Sequence, residues 1–376
     1  MFLLNPIRTI YMKAAVLNRI NKPLEIENLI QEDPKYGEVK IKVNYAGICA
    51  SDLHIMEGTA SLPMPAVLGH EGSGTVVEVG PNVTNLKPGD RCIMSFVSNC
   101  GHCTYCRTGN PNLCSENLRI GSKLFDNTFR LKKQNNEEVY QMGKIGLFSE
   151  YSVCPQQACY PIPDEISLET AALIGCCATT GIGAVVNHPN ATTGLSIAIF
   201  GTGGVGISAI QGAKLLNSSK IIAVDIDNKK LQFSKKFGAT HTINAKEEMP
   251  ISKILDLTNG EGVDMALDTF GSNITTENTL SCIRRGGDAV IVGLASEGEF
   301  AKVDMVSMVR KQLTLSGSYY GTTSSHETFK KIVTASINDQ LDLEKLVTEK
   351  FPLKKINQAF ENLKNGEIVG RGILEL

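Results

Sequence analysis

What the sequence lacks narrows it first. No stretch approaches the roughly 20 consecutive apolar residues that a membrane-spanning helix needs, so no membrane partner is expected. The opening residues, MFLLNPIRTIYM, are mildly apolar but carry neither a long hydrophobic stretch nor a small-residue cleavage site, and no export signal is read there. Charge of one sign is also missing: 37 Lys and Arg stand against 39 Asp and Glu, a net charge of −2. Such a chain has no basic field with which to hold nucleic acid. There is no internal repeat, heptad run or low-complexity tract. These absences point to a cytoplasmic globular protein, and 376 residues suggest two domains of ordinary size. Met12, followed by KAAVL, looks like a natural start ahead of a first strand, with residues 1 to 11 an extension or an upstream start-site choice, so those residues are set aside from fold reasoning.

Cysteine, by contrast, is abundant, with eleven in all. Four of them lie in CGHCTYCRTGNPNLC, where Cys100, Cys103, Cys106 and Cys114 run C-x2-C-x2-C-x7-C. Cytosolic thiols are kept reduced, so this density argues for a metal rather than a disulfide framework. Two-residue gaps let successive thiolates turn back onto one tetrahedral ion, and a full set of four sulfurs leaves no open position. A structural zinc is expected, with an iron–sulfur cluster as the competing reading. Gly101, Gly109 and Pro111 supply turns for such a loop.

The chain changes character near residue 180. Before it, segments such as EVKIKVNYAG (38 to 47) and GSGTVVEVG (72 to 80) alternate like strands of a twisted antiparallel β domain. After it, short β-branched runs alternate with helical stretches, which predicts a parallel sheet covered by helices. The charge-rich run RLKKQNNEEVYQ, 130 to 141, reads as a solvated excursion between strands, with a flap over a substrate cleft as its functional alternative.

In LSIAIFGTGGVGISAIQGAKLL (195 to 216) an apolar run ends in Gly201, Gly203, Gly204 and Gly206, a helical pattern follows, and IIAVD (221 to 225) supplies the next strand. A glycine motif placed between strand and helix, with an acid at the right distance, is a dinucleotide-binding signature. Gly201 makes the tight turn, Gly203 lets the backbone approach a pyrophosphate, and Gly206 lets helix and strand pack closely. Asp225 can accept from an adenosine ribose, and its charge opposes a 2′-phosphate, which favours NAD over NADP. Lys230 could support the same ribose.

A dinucleotide needs a place where hydride is given or taken. Cys49, His70 and Cys176 would make a Cys2His set with an open fourth position, as a catalytic zinc requires. Spacing alone cannot join residues so far apart in sequence, and each by itself is more often a core residue than a ligand.

GICASD, GHEGSG, the four-cysteine loop, LIGCCATTG, GTGGVG and VDID occur in the order and approximate spacing of the zinc-dependent alcohol dehydrogenases of the medium-chain dehydrogenase/reductase superfamily, which the chain resembles from about residue 13 onward. The resemblance implies an α/β plus β fold: a GroES-like catalytic domain, 1–177 and 321–376, with a structural zinc lobe at about 95–117, and an inserted Rossmann domain, 178–320. It implies two zinc ions per chain, with Cys49, His70 and Cys176 holding the catalytic one and Cys177 as a spectator. Asp52 matches the acid that orients the zinc-bound histidine, and Glu71 matches a nearby acid. Ser51 and His54 match a proton relay. Phe96 and Ala60 match substrate-pocket positions, Thr180 and Val205 lie behind the nicotinamide, and Arg371 matches a pyrophosphate contact. One position departs: where the family often carries Arg or His after the first zinc cysteine, this chain has Ala50.

The implied activity is hydride transfer between a small alcohol, or its aldehyde or ketone, and NAD. A specialised member acting on a polyol, an aromatic alcohol or glutathione-linked formaldehyde is the alternative within the family, and a non-catalytic zinc and NAD binder the alternative outside enzymes. LTLSGSYYG, 313 to 321, resembles the edge strand through which relatives pair, which implies a homodimer or homotetramer, the dimer preferred.

Overall fold

The structure, a computed structural model, describes residues 10–376. Two β layers and one parallel sheet organise it. Five short strands close a barrel: Ile10–Leu17, Glu25–Gln31, Leu131–Lys132, Glu138–Gln141 and Ala66–Val67. Beside it lies a seven-stranded sheet centred on Glu38–Gly47 and Gly72–Val79, which pair antiparallel as their alternating patterns predict. The C-terminal strands Val347–Pro352 and Arg371–Glu375 complete this sheet, paired parallel to each other. The first strand begins before Met12: Ile10 and Tyr11 pair with Gln31 and Ile30. Residues 1–9 of the segment set aside from the sequence lie outside the described residues.

The second half forms a six-stranded, wholly parallel sheet in the order His241–Asn244, Lys220–Asp225, Ser196–Phe200, Val263–Asp268, Ile283–Ile291, Thr314–Gly317. This is the doubly wound order, whose switch point lies between Ser196–Phe200 and Val263–Asp268, where such sheets bind ligands at their carboxyl ends. The central strands read SIAIF and VDMALD because both faces are covered by helices.

The helix Leu168–Val186 runs between the two halves. By length and mean hydropathy it could cross a membrane, although Glu169, threonines and glycines interrupt its apolar residues, and 83% of its most apolar 18-residue window is buried inside the protein. It is a core helix, packed against Ile93, Tyr320, Phe329 and Ile332. Inside it, Ile174–Ala178 forms one π-helical turn.

The run 130–141 is not a solvated excursion. Leu131 pairs with Val139, and Ala66 with Tyr140, so the segment is a hairpin of the barrel. Leu131 and Val139 face its core, and only the tip, 134–138, is exposed. Arg130 is fully buried because Glu38 and Asp126 both neutralise it, Asp126 at 2.7 Å. The charge that suggested solvent is matched inside.

Candidate active site and metal centres

The four-cysteine loop folds as its spacing suggests. Cys100 and Cys106 sulfurs lie 4.0 Å apart, Cys103 and Cys106 3.5 Å, Cys103 and Cys114 4.0 Å. A tetrahedral ion with Zn–S bonds of about 2.3 Å spaces its sulfurs at roughly 3.8 Å, so the donor set fits one zinc. Sulfurs this close leave no room for several irons bridged by sulfide. Backbone N–H groups of Cys100 and Cys103 donate to the sulfurs of Cys114 and Cys100, both at 3.3 Å, which suits thiolates. Gly101 and Gly109 take positive φ, +77° and +85°, at the two turns of the loop.

The second cluster assembles from three distant segments. Cys49 precedes the helix Ala50–Met56, His70 precedes the strand Gly72–Val79, and Cys176 sits in the π turn. Their ligand atoms all lie within 4.8 Å of one another. Cys177 is turned away, fully buried, its thiol directed at the Leu173 carbonyl at 3.6 Å. The buried Asp52 carboxylate engages His70 Nδ1 at 3.1 Å and also accepts from the Gly69 N–H at 2.9 Å, so the imidazole is fixed with Nε2 as its free nitrogen. A hydrogen bond from Cys176 holds the Cys49 thiol well below its usual range, helped by the charges of Arg371 and His70. The same bond, with burial, pushes Cys176 well up. Burial alone would lower His70, but Asp52 and Cys49 raise it. Two buried thiols and a free imidazole nitrogen, all within 4.8 Å, are a donor set in which a divalent cation can replace protons, so the residues fit zinc with one position free.

Around this cluster stand the other expected residues. Ser51 and His54 lie one turn apart on the Ala50–Met56 helix, both half-buried, so they share a side of it. Two backbone N–H groups, of Thr59 and Ala60, donate to the His54 carbonyl and tie Ala60 to the end of that helix. Phe96 packs edge-on against the His70 ring, centroids 5.2 Å apart. Glu71 is fully buried and paired with Arg371, whose Nε lies 3.1 Å from it. Arg371 also borders the glycine loop: a Cβ on Gly204 would meet its side chain at 3.2 Å.

The glycine loop has the shape a dinucleotide needs. Gly201 takes φ +92°, and a Cβ on Gly206 would stand 1.9 Å from the Gly201 carbonyl, so no other residue fits there. Gly203 caps the twelve-residue helix Gly204–Leu215, and a Cβ there would meet nothing within 4 Å, leaving the helix N-terminus open to an anion. Gly181, next to Thr180, sits against the Val205 carbonyl, which brings the helix behind the loop into contact with it. Asp225 ends its strand and accepts four hydrogen bonds, from Thr202 N and Oγ1 and from the backbone N–H groups of Ile226 and Asp227. Lys230 is half-buried on the helix Asn228–Lys235.

Sequence reasoning missed Tyr320. Its ring packs at a tilt of 55° against Phe96, centroids 4.3 Å apart, and its hydroxyl reaches the Gly175 carbonyl. The only signal was the YYG that ends a presumed edge strand.

Two family models match the chain: the alcohol dehydrogenase GroES-like domain over residues 35–164 and the zinc-binding dehydrogenase over 204–338. The chain belongs to the zinc-dependent alcohol dehydrogenases. It is 36% identical to S-(hydroxymethyl)glutathione dehydrogenase of Saccharomyces cerevisiae, with 94% of each chain aligned. Among solved structures, an alcohol dehydrogenase zinc-binding domain protein from Burkholderia ambifaria is 32% identical with a TM-score of 0.93, and benzyl alcohol dehydrogenase from Acinetobacter calcoaceticus 30% identical with a TM-score of 0.92. Each covers 98% of this chain, which in turn covers 99% of each. As a member of this family the chain is an oxidoreductase of the alcohol dehydrogenase class; Cys49, His70 and the four-cysteine loop fall inside the GroES-like match, Cys176 lies just beyond it, and the glycine loop follows a strand of the parallel sheet.

Proposed function

We propose that this enzyme interconverts an alcohol with an apolar, preferably aromatic, body and its aldehyde or ketone, using NAD. The observation that carries the reading is the buried Cys49, His70 and Cys176 set with Phe96 against His70. A zinc held there supplies a Lewis acid, and the nicotinamide of a dinucleotide on the glycine loop supplies the hydride acceptor. The chain's own residues do the rest. Asp52 keeps the imidazole in one tautomer. Phe96 and Tyr320 form an apolar wall that excludes water and orients a flat substrate, and Ala60 leaves room beyond it. Ser51 takes the alcohol proton toward His54, which passes it to solvent. Asp225 selects the unphosphorylated ribose by its charge.

The free edge of Thr314–Gly317 supports a homodimer as the working assembly. Met305, Val306 and Val309 on the neighbouring helix and Phe300 before it are exposed beside that edge. An unpaired edge strand flanked by apolar side chains is a pairing surface. Sedimentation at the chain's monomer mass would remove this reading.

The deciding experiment is reduction of NAD, with NADP in parallel, across primary, secondary, aromatic and polyol alcohols and hydroxymethyl-glutathione, each with a chelator-treated control. A chelator-sensitive rate greatest with NAD and aromatic alcohols is expected. Preference for the glutathione adduct would replace the substrate class, and silence from protein holding two zinc ions per chain would favour a binding role alone.

A further inference from the structure

The π turn that carries Cys176 is an irregular piece of backbone at the metal site, and such turns need partners beyond the backbone ladder of the helix. Two hydroxyls provide them. Thr179 Oγ1 donates to the Ile174 carbonyl at 2.6 Å, from the same helix. Tyr320, 145 residues on, donates to the Gly175 carbonyl at 2.5 Å. On its other side Gly175 is boxed in: a Cβ there would meet the Met94 carbonyl at 2.8 Å and the Gly72 N at 3.0 Å. The turn is thus held between a strand pair and one tyrosine.

Tyr320 is itself held at a cost. Its φ is +53°, a conformation that a side chain of this size rarely adopts and that stores strain. Gly321 follows with φ +80° and brings its backbone against Thr179, where a Cβ would stand 2.5 Å from the carbonyl. Asn187 donates to the Gly321 carbonyl at 2.8 Å, and Asn112, from the four-cysteine lobe, donates to the Tyr319 carbonyl at 3.0 Å. Three consecutive residues therefore bolt the returning chain to the Cys176 helix and to the structural lobe. The same ring packs against Phe96 at a tilt, and Phe96 meets His70 edge to face. One side chain touches the supports of two of the three candidate ligands.

We propose that Tyr320 is a positioning residue for the catalytic metal: its hydroxyl fixes the turn that presents Cys176, and its ring backs the Phe96 wall beside His70. This rests on the assignment of Cys49, His70 and Cys176 as zinc ligands. Tyr320→Phe removes only the hydroxyl and keeps the ring contact, and Tyr320→Leu removes both.

The test is metal retention in the full chain. In the wild type, two zinc ions per chain are expected, one lost faster to a chelator than the other. In Tyr320→Phe the faster-lost zinc should leave roughly fivefold sooner, from one hydrogen bond of about 1 kcal/mol, while the four-cysteine zinc keeps its wild-type rate. With cobalt in the Cys2His site, the thiolate-to-metal and ligand-field bands should shift in Tyr320→Phe, a change that lowered stability alone does not produce. In Tyr320→Leu both effects should grow and selectivity for aromatic alcohols should fall. Identical release and identical cobalt spectra in wild type and Tyr320→Phe would overturn the role of the hydroxyl. A wild type that binds only the four-cysteine zinc would overturn the ligand assignment itself, and the proposal with it.

Discussion

Arg371 and Glu71 form a buried ion pair across 300 positions of sequence, one residue from His70 and bordering the glycine loop. Burial raises the Glu71 carboxyl, and Arg371 is the charge that opposes the shift. Removing one member strands the other without solvent. Arg371→Met is therefore expected to lose about 3 to 5 kcal/mol of stability, while Arg371→Met with Glu71→Leu loses much less. Urea unfolding of the two singles and the double closes the cycle, and additive losses would mean that the pair is not coupled. Arg371→Met should also weaken NAD.

The adjacent cysteines 176 and 177 are separable by metal content. Cys176→Ser should leave one zinc per chain, and Cys177→Ser two, because the Cys177 thiol faces the Leu173 carbonyl. Cys103→Ser should also leave one, and should expose the lobe to proteolysis near residues 100–121, since its short helices have few partners besides the metal. Two zinc ions in Cys176→Ser would shift the ligand to its neighbour.

Much of this was legible before the structure, for particular reasons. Ligand spacing within one loop is local, so Cys100, Cys103, Cys106 and Cys114 declare themselves, as do glycines between a strand and a helix. The pairing of Arg371 with Glu71 is not local, and no periodicity in either segment announces it. Arg130 misled because charge in a sequence suggests solvent, whereas Glu38 and Asp126 sit where they can neutralise it inside. Tyr320 was hidden because its role depends on a positive φ and on a π turn, two departures from regular geometry that composition does not encode. The helix Leu168–Val186 holds no long consecutive apolar run, because glycines, threonines and a glutamate interrupt it, and packing buries most of it.

His188 gives a pH dependence with a definite sign. Burial lowers it from its ordinary value, and its Nδ1 accepts from the Asn190 N–H at 3.2 Å, so the folded state favours the neutral ring. The unfolded chain binds the proton more tightly, so stability rises with pH through this window and is lost as pH falls below about 6.5. His326, half-buried against Tyr160 and Phe329, is shifted the same way. His188→Gln should flatten part of the decline in the urea midpoint between about pH 7 and 5, leaving the share of His326. An unchanged slope would remove His188 from the acid response.

Ala50 begins the Ala50–Met56 helix and is exposed, directly after Cys49. A charge-assisted contact to a phosphate is worth about 1.5 to 3 kcal/mol in a favourable site, and alanine makes none. Ala50→Arg is expected to tighten NAD by tenfold or more at the upper end of roughly that range, read by fluorescence titration of NADH. Unchanged affinity would place the pyrophosphate elsewhere.

The proposed preference for NAD over NADP rests on Asp225. Its four hydrogen bonds from Thr202, Ile226 and Asp227 fix the carboxylate at the end of its strand, and a ribose hydroxyl must share those oxygens. A 2′-phosphate would be placed against a fixed negative charge, and like-charge contacts cost several kcal/mol. Asp225→Asn keeps the size of the side chain and removes the charge. The ratio of kcat/KM for NADP over NAD should rise by at least about tenfold, the equivalent of 1.4 kcal/mol, chiefly through KM, because the reacting centre lies at the far end of the cofactor. A ratio that does not move would mean that the adenosine ribose is read by other residues, with Lys230 on the next helix the first to replace.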